Sequence, residues 1–185
     1  MSGARRAVFF DRDGVLNRAL VRDGKPYPPR DLSEFVIPAG ARDDLERLKR
    51  LGFLLIVVTN QPDLARGSAT PAGIEAMHQH LRRELPVDDV LVCPHDDDDG
   101  CDCRKPLPGL LTRAAQRHGI DLENSFLVGD RWRDIDAGHA AGCFTVWIDR
   151  EYHERGPDRP PGARVGSLHD AVALILEKVS VQENA

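Results

Sequence analysis

Short blocks of uninterrupted apolar residues alternate along the chain with longer stretches in which apolar residues recur every three or four positions. The first kind reads as strands buried on both faces, the second as amphipathic helices. Ala7-Val8-Phe9-Phe10 is the first block. Leu45, Leu48 and Leu51 follow at helical spacing, with Gly52 as the stop. Phe53 to Val58 is a second block, closed by Thr59-Asn60-Gln61-Pro62. The spacing predicts a helix over 71–85, with Pro71 in its first turn. Val90 to Val92, Phe126 to Val128 and Phe144 to Ile148 predict three more strands. Helices are predicted over 110–118, ended by Gly119, and over 134–141, ended by Gly142. Residues 156–162, rich in Pro and Gly, predict a surface loop. Ser167 is placed to cap a last helix whose Leu168, Val172, Ile175, Leu176 and Val179 share one face. The polar tail after Val181 is expected to fray.

Both-face-buried strands alternating with helices predict an α/β fold, a Rossmann-like three-layer sandwich around a mainly parallel sheet. A chain of 185 residues is expected to form one domain, residues 1–185. In such sheets ligands bind beyond the carboxyl ends of the strands. Asp11 and Asp13 follow the first strand, Thr59 the second and Asp130 the Phe126 strand, so all should share one rim.

Composition narrows the partners. The formal net charge of -5 argues against a nucleic-acid surface, which would need a basic stripe. No apolar run approaches a membrane span, so no membrane partner is expected. Met1 to Arg6 leads into only four apolar residues, too few for a signal peptide, so a cytoplasmic location is expected. A monomer is the expected state.

Two carboxylates two residues apart repel, and need a cation or a shared proton. With Asp130 as a third, Asp11 and Asp13 suit Mg²⁺, which takes few carboxylates and keeps several waters. A carboxylate can attack phosphorus, and a second can protonate the leaving oxygen and later activate water. Lys105 and the Thr59 hydroxyl are candidates for holding the phosphoryl charge. Cys93, His95, Cys101 and Cys103 put four soft ligands in eleven positions, a structural Zn²⁺ set. A disulfide is the alternative, disfavoured in a reducing compartment. Asp96 to Asp99 reads as a solvated loop tip. Cys143 reads as an inert buried thiol.

The segment Phe10-Asp11-Arg12-Asp13-Gly14-Val15-Leu16-Asn17 resembles the first motif of the haloacid dehalogenase superfamily of phosphohydrolases. Thr59-Asn60-Gln61, Arg104-Lys105-Pro106 and Gly129-Asp130-Arg131-Trp132-Arg133-Asp134 resemble the other three, in order. The resemblance implies Asp11 as nucleophile and Mg²⁺ ligand, with Asp13 as general acid/base whose main-chain carbonyl meets the metal. It implies Thr59 and Lys105 on the phosphoryl oxygens and Asp130 completing the metal site. Asn60, Gln61, Arg104 and Arg131 would contact substrate. Asp134 would hold Lys105 or a metal-bound water, or else face its helix dipole.

The Cys-x-His and Cys-x-Cys pairs ahead of Arg-Lys-Pro, with Thr59 to Gly67, narrow the likeness. They are similar to the D-glycero-D-manno-heptose 1,7-bisphosphate phosphatases, and also to the related histidinol-phosphate phosphatases. That implies a capless enzyme removing the 7-phosphate of a small sugar bisphosphate, with a zinc-stabilised loop aiming Arg104 and Lys105. Histidinol phosphate or another small sugar phosphate is the alternative substrate. Residues 18–29 are longer and more basic than the heptose enzymes lead one to expect. Arg18, Arg22 and Lys25 there could hold a second phosphate or form a solvated loop.

Overall fold

Strand β1 (Ala7–Phe10) has no polar residue and is buried on both sides. Its side chains alternate, as a strand's must. Val8 and Phe10 enter one apolar core and Ala7 and Phe9 the other. This strand sits at the middle of the sheet, and the computed structural model, which describes residues 5–183, is organised around it.

The remaining strands of the sheet are β4 (Leu54–Asn60), β5 (Asp89–Cys93), β6 (Phe126–Gly129), β7 (Phe144–Ile148) and β8 (Ala163–Val165). Their spatial order is β5-β4-β1-β6-β7-β8, with every neighbouring pair parallel. Helices α1 (Ala41–Arg50), α2 (Pro71–Glu84) and α5 (Leu168–Glu183) supply apolar side chains to the core on one face. Helices α3 (Gly109–His118) and α4 (Trp132–Ala141) cover the other. These are the three layers expected from the strand pattern.

The five predicted strands and five predicted helices are all present. Thr70 caps α2, its hydroxyl accepting from the Gly73 N–H at 3.1 Å. Ser167 accepts from the Asp170 N–H at 3.1 Å, where a cap was expected. Helix α5 runs past Val181 to Glu183, beyond the point where fraying is expected. Residues 1–4 and 184–185 lie outside the described residues.

Three strands are additional. β8 follows the Pro/Gly loop and extends the sheet by three residues. β2 (Leu20–Arg22) and β3 (Lys25–Tyr27) form an antiparallel hairpin inside the segment read as a basic loop. Asp23 and Gly24 both have positive φ, 50° and 72°. An Asp-Gly pair at a two-residue hairpin turn favours that geometry.

The chain runs outward from β1 through β4 to β5, then returns to β6 on the opposite side of β1. Connections on the two sides diverge there, and the divergence opens a crevice beyond the carboxyl ends of the strands. The site lies in it.

Candidate active site

Asp11 leaves the end of β1, with its N–H on the Val128 carbonyl of β6 at 3.0 Å. Asp130 follows β6, and Lys105 follows the loop after β5. The Lys105 ammonium reaches Asp11 Oδ1 at 2.8 Å, Asp134 Oδ1 at 2.6 Å and the Val58 carbonyl at 2.7 Å. Carboxylate oxygens of Asp11, Asp130 and Asp134 all lie within 4.8 Å of one another. Burial pushes the Asp11 carboxyl up to about 6, against the pull of Lys105. Burial, then the charge of Asp11, raises Asp130 well above the usual carboxylate range. Burial would lower Lys105, but Asp11 and Asp134 outweigh it and raise it.

Asp130 Oδ2 accepts from the Tyr152 hydroxyl at 2.8 Å. Its Oδ1 is buried and has no hydrogen-bond partner. Three crowded carboxylates against one lysine, with an orphaned oxygen, form a donor set that fits a hard divalent cation. The side chains differ from the expected set in one respect. Asp134 joins Asp11 and Asp130, and the Asp13 carboxylate does not.

Asp13 is held elsewhere. Arg12 forks it, Nε to Oδ1 at 3.1 Å and Nη2 to Oδ2 at 2.9 Å. Gln61 Nε2 donates to Asp13 Oδ2 at 2.9 Å and to Thr59 Oγ1 at 2.8 Å. Burial works to raise the Asp13 carboxyl, but the Arg12 charge and these hydrogen bonds hold it below the usual range. The Thr59 hydroxyl accepts from Gln61 and so keeps its own proton to donate. Asn60 clasps the Lys105 peptide, donating to its carbonyl at 3.0 Å and accepting from its N–H at 3.1 Å. The amides of Asn60 and Gln61 are thus engaged with protein groups.

A cleft of about 420 Å³ opens above Asp11 and Asp13. The hairpin forms one wall through Lys25, Pro26 and Tyr27, and Arg66, Arg104, Arg131 and Arg133 line the rest. Of the basic residues read together in that segment, Lys25 reaches the cleft. Arg18 lines a neighbouring cavity, and Arg22 stacks over Tyr27 at 5.5 Å. Arg131 donates from Nε to Glu154 at 2.9 Å.

The four sulfur and nitrogen atoms of Cys93, His95, Cys101 and Cys103 also lie within 4.8 Å of one another. All four cysteines of the chain are free, and Cys93 and Cys103 sulfurs stand 3.1 Å apart, outside bonding distance. Tetrahedral zinc–thiolate geometry needs this close set. Asp97, Asp98 and Asp99 are exposed, as expected of a loop tip, and Asp96 and Asp97 also carry ion pairs. Asp96 takes a two-point bond from Arg66, at 2.5 and 2.7 Å. Asp97 accepts from Arg104 at 2.8 Å and lies 3.1 Å from Arg133. The loop therefore holds three arginines of the cleft wall.

The haloacid dehalogenase-hydrolase-like family model matches residues 102–171, which include Lys105, Asp130 and Asp134. A Pseudomonas aeruginosa protein named D-glycero-beta-D-manno-heptose-1,7-bisphosphate 7-phosphatase is 37% identical over 181 residues. The match covers 94% of this chain and 98% of that one. The chain belongs to this hydrolase family. An Escherichia coli protein of the same name is 36% identical, over 78% of each chain. Among solved structures of the family, D,D-heptose 1,7-bisphosphate phosphatase from B. bronchiseptica, complexed with magnesium and phosphate, superposes with a TM-score of 0.79. It is 32% identical and covers 94% of this chain and 99% of that one.

Arg12, His78 and Tyr152 join the site although the sequence pattern does not single them out. Arg12 stood in plain view between two aspartates, and its full burial is the signal that it braces one of them. Tyr152 and His78 come from distant segments, and no local pattern ties them to the site.

Proposed function

We propose that this protein is a Mg²⁺-dependent phosphoric monoester hydrolase that removes the 7-phosphate of D-glycero-D-manno-heptose 1,7-bisphosphate. The observation that carries this reading is the near full-length similarity to phosphatases of that name, in a chain with Asp11, Lys105 and Asp134 lining a basic-walled cleft and Asp130 buried beside Asp11. Asp11 is the nucleophile. Its carboxylate oxygen forms a bond to phosphorus as the ester P–O bond breaks, and the leaving oxygen takes that electron pair and a proton from Asp13. Asp13 then takes a proton from the water that attacks the phospho-aspartate, which frees inorganic phosphate and restores Asp11.

Arg12 favours the ionised Asp13 carboxylate, so Asp13 takes up a proton, from solvent or from the singly ionised phosphate monoester, before it acts as the acid. Thr59 and Lys105 hold phosphoryl oxygens. Asn60 and Gln61 act through Lys105 and Asp13, to which their amides are bound. Arg104 and Arg131 contact the sugar or its distal phosphate, each oriented by an acidic partner.

Asp11, Asp130 and the Asp13 main-chain carbonyl would hold Mg²⁺, with Asp134 alongside. When bound, the ion would neutralise the gathering negative charge. Cys93, His95, Cys101 and Cys103 would hold a structural Zn²⁺. We take the protein to be a single-domain cytoplasmic monomer; no described helix is long and apolar enough to cross a membrane.

The test is phosphate release from the heptose bisphosphate with Mg²⁺, beside histidinol phosphate as competitor. Asp11→Asn should lose at least about 10³-fold in kcat while keeping its fold. Substantial turnover by that variant would refute the mechanism, and faster turnover of histidinol phosphate would refute the substrate.

A further inference from the structure

His78 lies on α2 and is 2% exposed, with no part in the chemistry above. Its Nε2 is 3.0 Å from Arg12 Nη1. An arginine can only donate, so Nε2 is the acceptor and the neutral ring carries its proton on Nδ1. Burial, then the adjacent Arg12 charge, keeps the imidazole neutral by pulling it down to about 4. Arg12 is itself fully buried, with its guanidinium 5.6 Å from the Phe35 ring centroid. Nε and Nη2 are spent on Asp13, and Nη1 on His78.

We propose that His78 is a positioning residue for Asp13: by accepting from Arg12 it fixes the fork that aims the Asp13 carboxyl at the leaving oxygen. This rests on the reading of Asp13 as general acid. Without the acceptor, a buried charged N–H has no partner, and the guanidinium must turn or draw in water to find one. Either response rotates a fork whose other two nitrogens hold both Asp13 oxygens. An acid that drifts out of hydrogen-bond reach of the leaving oxygen no longer transfers its proton in the transition state. Gln61 and Asn17 then remain to restrain Asp13, without the two-point grip of the guanidinium.

The step affected is the first half-reaction. The Asp11–P bond forms, the P–O ester bond breaks, its electron pair goes to the leaving oxygen, and the Asp13 proton follows. An alkoxide needs that proton. A p-nitrophenolate does not, because its ring delocalises the charge. Since kcat/KM reports events up to leaving-group departure, the two substrates separate aim from general damage.

The experiment compares kcat/KM for a sugar phosphate and for p-nitrophenyl phosphate in His78→Leu and His78→Gln. The leucine variant should lose at least about tenfold more on the sugar phosphate than on the aryl ester, out of the 10²–10⁴-fold that general acid catalysis supplies. The glutamine variant, whose amide oxygen can accept from Arg12, should recover most of that difference. Equal losses on both substrates, or a glutamine variant no better than leucine, would overturn the proposal. If His78→Leu does not fold by circular dichroism, His78→Met takes its place with the same two outcomes. Asp13→Asn is run alongside. If it keeps sugar-phosphate turnover, the assignment of Asp13 fails; if it loses it while the His78 variants show equal losses, only the role of His78 fails.

Discussion

Lys105 has three N–H hydrogens and three acceptors, two of them carboxylates that repel each other. Removing a buried partner of this kind strands the charges left behind. Lys105→Met should therefore cost about 3–5 kcal/mol of stability in the metal-free protein, read by urea denaturation. A variant as stable as the parent would show that the pair is better hydrated than its 2% exposure implies. His78 gives a pH signature of opposite origin. Its ordinary pKa is 6.5 and the folded value is about 4. Between those values the unfolded chain binds the proton and the folded one does not, so stability falls as pH falls from about 6.5 to about 4. The expected loss is on the order of 3 kcal/mol. In His78→Gln that part of the slope should vanish from a pH series of denaturation curves. The carboxylates and the lysine gathered at the cleft were legible in the sequence by type and spacing. Their braces were not, because Arg12 to His78 and Asp130 to Tyr152 are long-range pairings.

At the scale of elements, the loop from Cys93 to Cys103 does two things at once. Its sulfur and nitrogen atoms cluster at one end, and Asp96 and Asp97 hold Arg66, Arg104 and Arg133 at the other. Purified protein should carry about one zinc per chain, by elemental analysis. Chelation, or Cys101→Ser, should lower the melting temperature and weaken sugar-phosphate turnover together. Zinc-free protein with an unchanged melting temperature would remove the structural role. The hairpin was missed for a physical reason. β2 and β3 have three residues each and face solvent, so they carry no apolar periodicity. The Asp23-Gly24 turn between them was the readable signal. β8 is as short and half-buried, and follows a Pro/Gly run that masks it.

Across the whole molecule, the sheet was legible because parallel strands are buried on both faces and must be apolar throughout. That property also located the site. The return of the chain past β1 brings together residues more than ninety positions apart, as between Asp11 and Lys105. What the apolar pattern leaves out is the shape of the cleft, since its walls are loops and a hairpin whose positions follow from polar contacts. Gly14 marks where those constraints meet. It has a φ of 87°, and a Cβ built on it would stand 1.7 Å from Asp130 Oδ2. Every other amino acid carries a Cβ, so no residue change there is conservative. Screened with all substitutions for activity, position 14 should accept a single letter of the alphabet, like a nucleophile, although glycine offers no functional group. Tolerance of alanine there would mean that the loop after β1 can retreat from Asp130. The genetic constraint at this position is set by the room the fold must leave for the Asp130 carboxylate.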